Sequence, residues 1–201
     1  MRPNAAAPLL DDRGLGSYPS GTWSAPGRES QAGGPLFRIL IVCTGNICRS
    51  PMAEGILKHL VARHELSDQV EISSAGTWTS VGAPASKYAV DAARRSGIDI
   101  SAIRSQPLAR PILLESDLVL TMEPAHLEEV LAQAPEAEER AYVVTSFADP
   151  EGGDPAGVTD PYGSNQATYD ATFEELDHLL RVAFPRILER VGRKAAEAGT
   201  T

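Results

Sequence analysis

The chain has 201 residues, of which 42% are hydrophobic and 22% charged, and carries a formal net charge of -9 at pH 7. That balance suits one compact domain with an appendage, and it excludes the clustered Lys and Arg that a nucleic-acid partner requires. The longest apolar run, ILIVC, is far too short to cross a bilayer, and Asp11 and Asp12 fall where a secretory signal needs apolar residues, so a cytoplasmic protein with no membrane insertion is expected. Two cysteines form no disulfide framework, and in a reducing compartment such a pair points to catalysis, redox chemistry or metal binding.

Residues 1–35 hold five Pro and six Gly without apolar periodicity, too little to offset their ordering entropy, and read as a disordered tail in which Trp23 needs no function. From Leu36 the texture changes. LFRILIV reads as a buried strand and is followed by a Cys/Gly/Asn turn. Apolar residues at 52, 53, 56, 57, 60 and 61 then share one face of a helix, with Pro51 suited to its first position and Ser50 to its cap. QVEISSA predicts a second strand and APASKYAVDAARRSG a second helix closed by Gly97; a loop leads to a third strand, SDLVLTM. EPAHLEEVLAQA is a helix, AYVVT a fourth strand, and residues 165–198 a long last helix. The apolar stripe of that helix includes Phe173, Leu176, Leu180, Phe184 and Ile187, and Pro185 is expected to kink it. The alternation predicts an α/β domain over 36–193, with a four-stranded parallel sheet between helices and ligands at the carboxyl ends of its strands; residues 194–201 are expected to be a disordered end.

On that architecture VCTGNICRSP places Cys43 at the end of the first strand and Arg49 at the start of the first helix. Successive amides of such a loop and the positive end of the helix form an anion cradle, and Gly45 and Asn46 are residue types that accept the left-handed angles needed to wrap it. A helix N-terminus and a neighbouring Arg favour the thiolate of a cysteine placed there, which makes Cys43 the expected nucleophile. The Arg49 guanidinium offers a planar fork for two oxygens of a phosphoryl group.

Other readings of the turn fit less well. A nucleotide-binding P-loop needs a second Gly and a Lys that GNICRS lacks. A metal site finds no His beside the two Cys, and a thioredoxin-type pair wants two intervening residues where Cys43 and Cys48 have four. Two cysteines simply buried at a strand end would leave Arg49 unexplained. Phosphoryl transfer to sulfur also needs an acid for the leaving oxygen. Of the three Asp-Pro pairs in DPEGGDPAGVTDPY, the one at Asp160 stands beside an aromatic just before the last helix and is the choice, whereas Asp149 and Asp154 suit ordinary turn chemistry.

VCTGNICRSPMAE, SSAGT and the late DPY, in that order, resemble the low-molecular-weight protein tyrosine phosphatases over about residues 36–193. The resemblance implies a flavodoxin-like fold and a two-step mechanism without cofactor or metal. Cys43 would form a phosphocysteine, Asp160 would act as acid and then base, and Arg49 with the amides of Thr44, Gly45, Asn46, Ile47, Cys48 and Ser50 would hold phosphate. It further implies that Ser50 hydrogen-bonds the thiolate, that Ser74 supports Asn46, and that Cys48 pairs reversibly with Cys43 under oxidant. Trp78 and Tyr162 would wall the substrate slot, although Gly163 stands where many eukaryotic members have a second aromatic. Related arginine phosphatases have Thr where this chain has Ile47, whose apolar side chain favours the ring of phosphotyrosine. The expected substrate is a phosphotyrosine protein, a bacterial tyrosine kinase being one such by family analogy. Arginine phosphatase activity is the runner-up. Arsenate reduction would lack its third thiol here, and a non-catalytic phosphoprotein-binding module is at odds with an intact Cys43, Arg49 and Asp160.

Overall fold

The computed structural model describes residues 36–199, so the tail expected over 1–35, including Trp23, lies outside the described residues. The elements in chain order are β1 (Phe37–Cys43), α1 (Arg49–Arg63), β2 (Val70–Gly76), α2 (Lys87–Arg95), α3 (Arg110–Glu115), β3 (Leu118–Thr121) and α4 (Pro124–Gln133). A 3-10 stretch (Pro135–Arg140), β4 (Ala141–Val143), α5 (Val144–Ala148) and α6 (Gln166–Ala198) complete the described chain. The four strands form one parallel sheet in the order β2-β1-β3-β4. Parallel strands need crossovers, and the helices that supply them cover both faces.

β1 lies inside the sheet and is buried on both sides, which accounts for its nearly continuous apolar sequence. Its alternate residues serve different layers. Ile39, Ile41 and Cys43 join Met52 and Ile56 of α1, Phe147 of α5 and the apolar stripe of α6, whereas Leu40 and Val42 pack with Leu113 of α3 and Val130 of α4. Full burial of each such side chain contributes about 1.5–3 kcal/mol relative to exposure. In the sheet register Ile41 lies opposite Ser74 and Cys43 opposite Gly76, so the last turns of β1 and β2 end together beneath one loop.

Four expectations need correction. First, α1 begins at Arg49, with Cys48 and not Ser50 at the cap and no side-chain cap bond, because the Ser50 hydroxyl is engaged with Cys43. Second, the strand expected over AYVVT stops at Val143; its partner β3 ends at Thr121, and without a ladder Val144 and Thr145 open α5. Third, the loop before β3 contains α3, whose start carries Pro111, a residue already pre-set for the first helical turn. Fourth, α6 runs to Ala198, the end its sequence reading gives it, so residues 194–198 are helix and not part of a disordered end. Lys194 fastens that end, donating to the Leu36 carbonyl at 2.9 Å and to Asp117 at 2.6 Å. The second helix is capped by Ser86, which accepts from Ala89 N, and Gly97 follows with φ +73, at the end its sequence suggests. Pro185 stands within the α6 helix.

Gly55 in the middle of α1 has a packing role. A Cβ there would lie 3.0 Å from Ile98 Cγ2 and closer still to Ile100 Cγ2. Ala normally stabilises a helix interior by about 1 kcal/mol over Gly. Here overpacking reverses the sign: Gly55→Ala is expected to destabilise the fold by about 1–3 kcal/mol, read as a lowered midpoint in urea unfolding.

Candidate active site

The loop between β1 and α1 takes its shape from Asn46. This residue is fully buried with φ +50, the left-handed region that costs a non-glycine residue roughly 1–2 kcal/mol. Its amide offsets that cost with three bonds: Nδ2 donates to Ser50 Oγ at 2.9 Å and to Ser74 Oγ at 2.8 Å, and Oδ1 accepts from Gln106 N at 2.9 Å. Gly45, by contrast, is not among the positive-φ residues, so Asn46 makes the turn without it.

The same bonds aim donors at sulfur. Asn46 N donates to Cys43 Sγ at 3.3 Å, and Ser50 Oγ lies 3.0 Å from that sulfur. Because Ser50 Oγ already accepts from Asn46, its own proton is available to Cys43. Behind Asn46, Ser74 donates to Glu54 Oε2 at 2.5 Å, and Lys58 Nζ donates to Glu54 Oε1 at 2.6 Å. A continuous polar chain thus runs from Lys58 at the surface, through buried Glu54, to the sulfur.

Arg49 is 1% exposed. It donates through Nη1 to the Val158 carbonyl at 2.9 Å, and through Nη2 to Asp160 Oδ2 at 2.7 Å and Glu123 Oε1 at 3.3 Å. Its Nε–H is buried and has no partner among the described residues. An unpaired buried donor is costly, and an oxyanion in the adjoining cleft would satisfy it. Asp160 is half-exposed, and its Oδ1 accepts from Tyr162 N at 3.1 Å, which fixes the DPY turn. Asp149 and Asp154 likewise accept from backbone amides two or three residues on, as turn formers do, but of the three only Asp160 also meets Arg49.

A cleft of about 570 Å³ collects these groups: Cys43, Thr44, Gly45, Ile47, Cys48, Arg49, Asp160, Trp78 and Tyr162 all line it. Trp78 and Tyr162 stand at its rim, 84% and 72% exposed. Ser50 and Ser74 lie behind it, touching Cys43 and Asn46. Cys48 sits differently from Cys43. Its thiol lies 3.2 Å from the Tyr169 hydroxyl and 3.6 Å from Ser86 Oγ, and burial pushes its pKa up. Burial and the Cys48 neighbour push Tyr169 up to about 12. Both cysteines are free.

Several participants carry no function in the sequence reading. Glu123 lies two residues past the end of β3, where the rule that ligands gather at the carboxyl ends of strands marks it. Glu54 is the last residue of PMAE, but nothing local shows that its carboxylate turns inward. His126, Gln106 and Tyr169 are brought in by tertiary packing and leave no local signal. Among the described residues no group of three or more His, Cys, Asp or Glu converges as metal ligands, and no helix is long and apolar enough to cross a membrane.

A parallel α/β sheet with a Cys-to-Arg loop at its carboxyl edge defines a class of phosphoryl-binding protein. Residues 38–196 match the family model described as low molecular weight phosphotyrosine protein phosphatase. The chain is 34% identical over 143 residues to a protein-arginine-phosphatase of Bacillus subtilis, covering 71% of this chain and 91% of that one. It is 32% identical over 139 residues to a putative low molecular weight protein-tyrosine-phosphatase of Klebsiella pneumoniae, covering 69% and 89%. Among solved structures, the low molecular weight protein tyrosine phosphatase from T. tengcongensis superposes with a TM-score of 0.69 at 37% identity, over 75% of this chain and 99% of that chain. A YwlE arginine phosphatase mutant with a phosphorylated active-site serine gives 0.69 at 31%, over 75% and 95%. The chain belongs to the low molecular weight protein tyrosine phosphatase family, a family of hydrolases.

Two variants separate the conformation of Asn46 from its bonds. Asn46→Gly keeps the left-handed angle and loses the amide; Asn46→Ala loses both. Each is expected to lower kcat/KM on an aryl phosphate at least tenfold, and the Ala variant to melt a further 2–4 °C below the Gly variant, about 1 kcal/mol in a domain of this size. Equal melting temperatures would remove the strain from the account.

Proposed function

We propose that the protein hydrolyses phosphotyrosine in protein substrates through a phosphocysteine on Cys43. The observation that carries this reading is the pairing of a sulfur that faces the Ser50 hydroxyl and the Asn46 amide with a buried Arg49 whose Nε–H has no partner among the described residues. Cys43 Sγ attacks phosphorus, the S–P bond forms, and the bond to the phenolic oxygen breaks as Asp160 supplies that oxygen with a proton. Asp160 then takes a proton from water, the resulting hydroxide attacks phosphorus, and the S–P bond breaks to return the thiolate and release phosphate. Arg49 and the amides from Thr44 to Ser50 hold the non-bridging oxygens throughout, where charge develops. Asp160 starts on Arg49 Nη2, so phosphate oxygens that take the guanidinium free the carboxyl for the leaving group.

The choice of phosphotyrosine rests on Ile47 and on the exposed aromatic rings of Trp78 and Tyr162 around the slot, which offer an aryl ring apolar surface. A bacterial tyrosine kinase bearing phosphotyrosine is one such substrate. The second reading, phosphoarginine, draws on the 34% identity to an arginine phosphatase. Cys48, raised by burial, is the resting thiol that would resolve an oxidised Cys43 as a disulfide.

Cys43→Ser is expected to abolish hydrolysis of an aryl phosphate; turnover surviving in that variant would refute the thiolate mechanism. At neutral pH iodoacetate is expected to label Cys43 and spare Cys48, with inorganic phosphate slowing the reaction, as checked by peptide mass. Side-by-side rates on phosphotyrosine and phosphoarginine peptides are expected to favour phosphotyrosine, and Ile47→Thr to shift that ratio about tenfold towards phosphoarginine. A wild-type preference for phosphoarginine would select the second reading.

A further inference from the structure

His126 lies in the first turn of α4, 3% exposed, beside the phosphate loop but outside the motif that defines it. Its Nε2 is 2.8 Å from Thr44 Oγ1 and 3.2 Å from Glu123 Oε1, and its Nδ1 is buried without a partner among the described residues. The Glu123 oxygen that faces the ring also takes Arg49 Nη2 as a donor and so acts as an acceptor, which assigns the proton to the nitrogen facing it. The other tautomer would strand an N–H at Nδ1 and set a lone pair against a carboxylate.

The charged groups acting on the ring are Glu123 just before α4, Arg49 at the start of α1 and Asp160 in the loop before α6. Burial outweighs the two carboxylates and holds the imidazole below its ordinary pKa, so the ring is neutral at neutral pH.

This fixes the direction of the Thr44 bond. Thr44 Oγ1 accepts from His126, and its own proton has no other acceptor among the described residues. Thr44 also lines the cleft, next to Cys43. The same Nε2–H lies against the carboxylate that touches Arg49 Nη2. One imidazole therefore contacts both sides of the phosphate site: the loop that carries the nucleophile and the acid that braces the guanidinium.

We propose that His126 is a positioning residue that commits the Thr44 hydroxyl to donate into the cleft, giving the phosphoryl group a side-chain donor in addition to the loop amides. The proposal rests on the phosphatase reading of this cleft. A donor to a phosphate oxygen is a charge-assisted bond, and its loss is felt in phosphate affinity as well as in turnover.

The test uses the full chain and four variants: Thr44→Val, which keeps shape and removes the hydroxyl; His126→Phe, which keeps volume and removes the donor; His126→Gln, whose amide nitrogen can take the place of Nε2; and the Thr44→Val/His126→Phe double. The readouts are kcat and KM on an aryl phosphate and the dissociation constant of inorganic phosphate by calorimetry. Thr44→Val and His126→Phe are each expected to lower kcat/KM and weaken phosphate binding about tenfold. The double is expected to be no worse than either single within threefold, and His126→Gln to recover to within threefold of wild type. Effects that multiply in the double, or no recovery with Gln, would overturn the coupling. Should His126→Phe fail to fold, Thr44→Val alone still decides, because phosphate affinity within twofold of wild type overturns the donor role. A wild type that binds phosphate but turns over no aryl phosphate would count against the proposed reaction, while the affinities of the variants would still judge His126.

Discussion

The site depends on one buried amide. Asn46 holds a backbone angle that few side chains tolerate, and it does so because α1, β2 and the segment at Gln106 each present a partner at hydrogen-bonding distance. Ser50 is local, but the other two partners are not: Ser74 comes from the neighbouring strand and Gln106 from the loop beyond α2. The loop's shape is therefore a tertiary property, set by the register that brings Ile41 opposite Ser74. A slip of one residue in that pairing would turn Ser74 to the other face of the sheet and remove the Asn46 support.

From this constraint the rest of the chemistry follows in order. With Asn46 fixed, Ser50 has an accepting role assigned and a proton left for sulfur. With α1 started at Arg49, the guanidinium is drawn beneath the loop and meets acids from two other segments, Glu123 after β3 and Asp160 before α6. The parallel sheet makes this convergence possible, because β1, β2 and β3 all deliver their carboxyl ends to the same edge.

Much of this was legible in the sequence. The strands and the helices α1, α2, α4 and α6 announce themselves by periodicity, and the loop residues by their spacing and type. The misses have physical reasons. Ser50 looks like a cap because Ser usually caps; here its hydroxyl has a better partner in Cys43. Val144 and Thr145 look like strand because β-branched residues favour strands, yet β3 ends too soon to pair them. Gly45 invites a left-handed assignment that Asn46 alone fulfils. Glu54, Glu123 and His126 were silent because a carboxylate or imidazole shows its partners only once distant segments meet. Residues 1–35 remain a compositional reading.

The double clamp on Arg49 has one more consequence. A cation already shared by Asp160 and Glu123 does not wait for any passing anion; a newcomer must displace resident carboxylates. A singly charged ion brings little more than it evicts, whereas a doubly charged phosphoryl group brings both the charge and the paired oxygens that the exchange demands. On the phosphatase reading proposed above, the returning acids would compete with inorganic phosphate for the same fork, so the protein would carry its own eluent for the product.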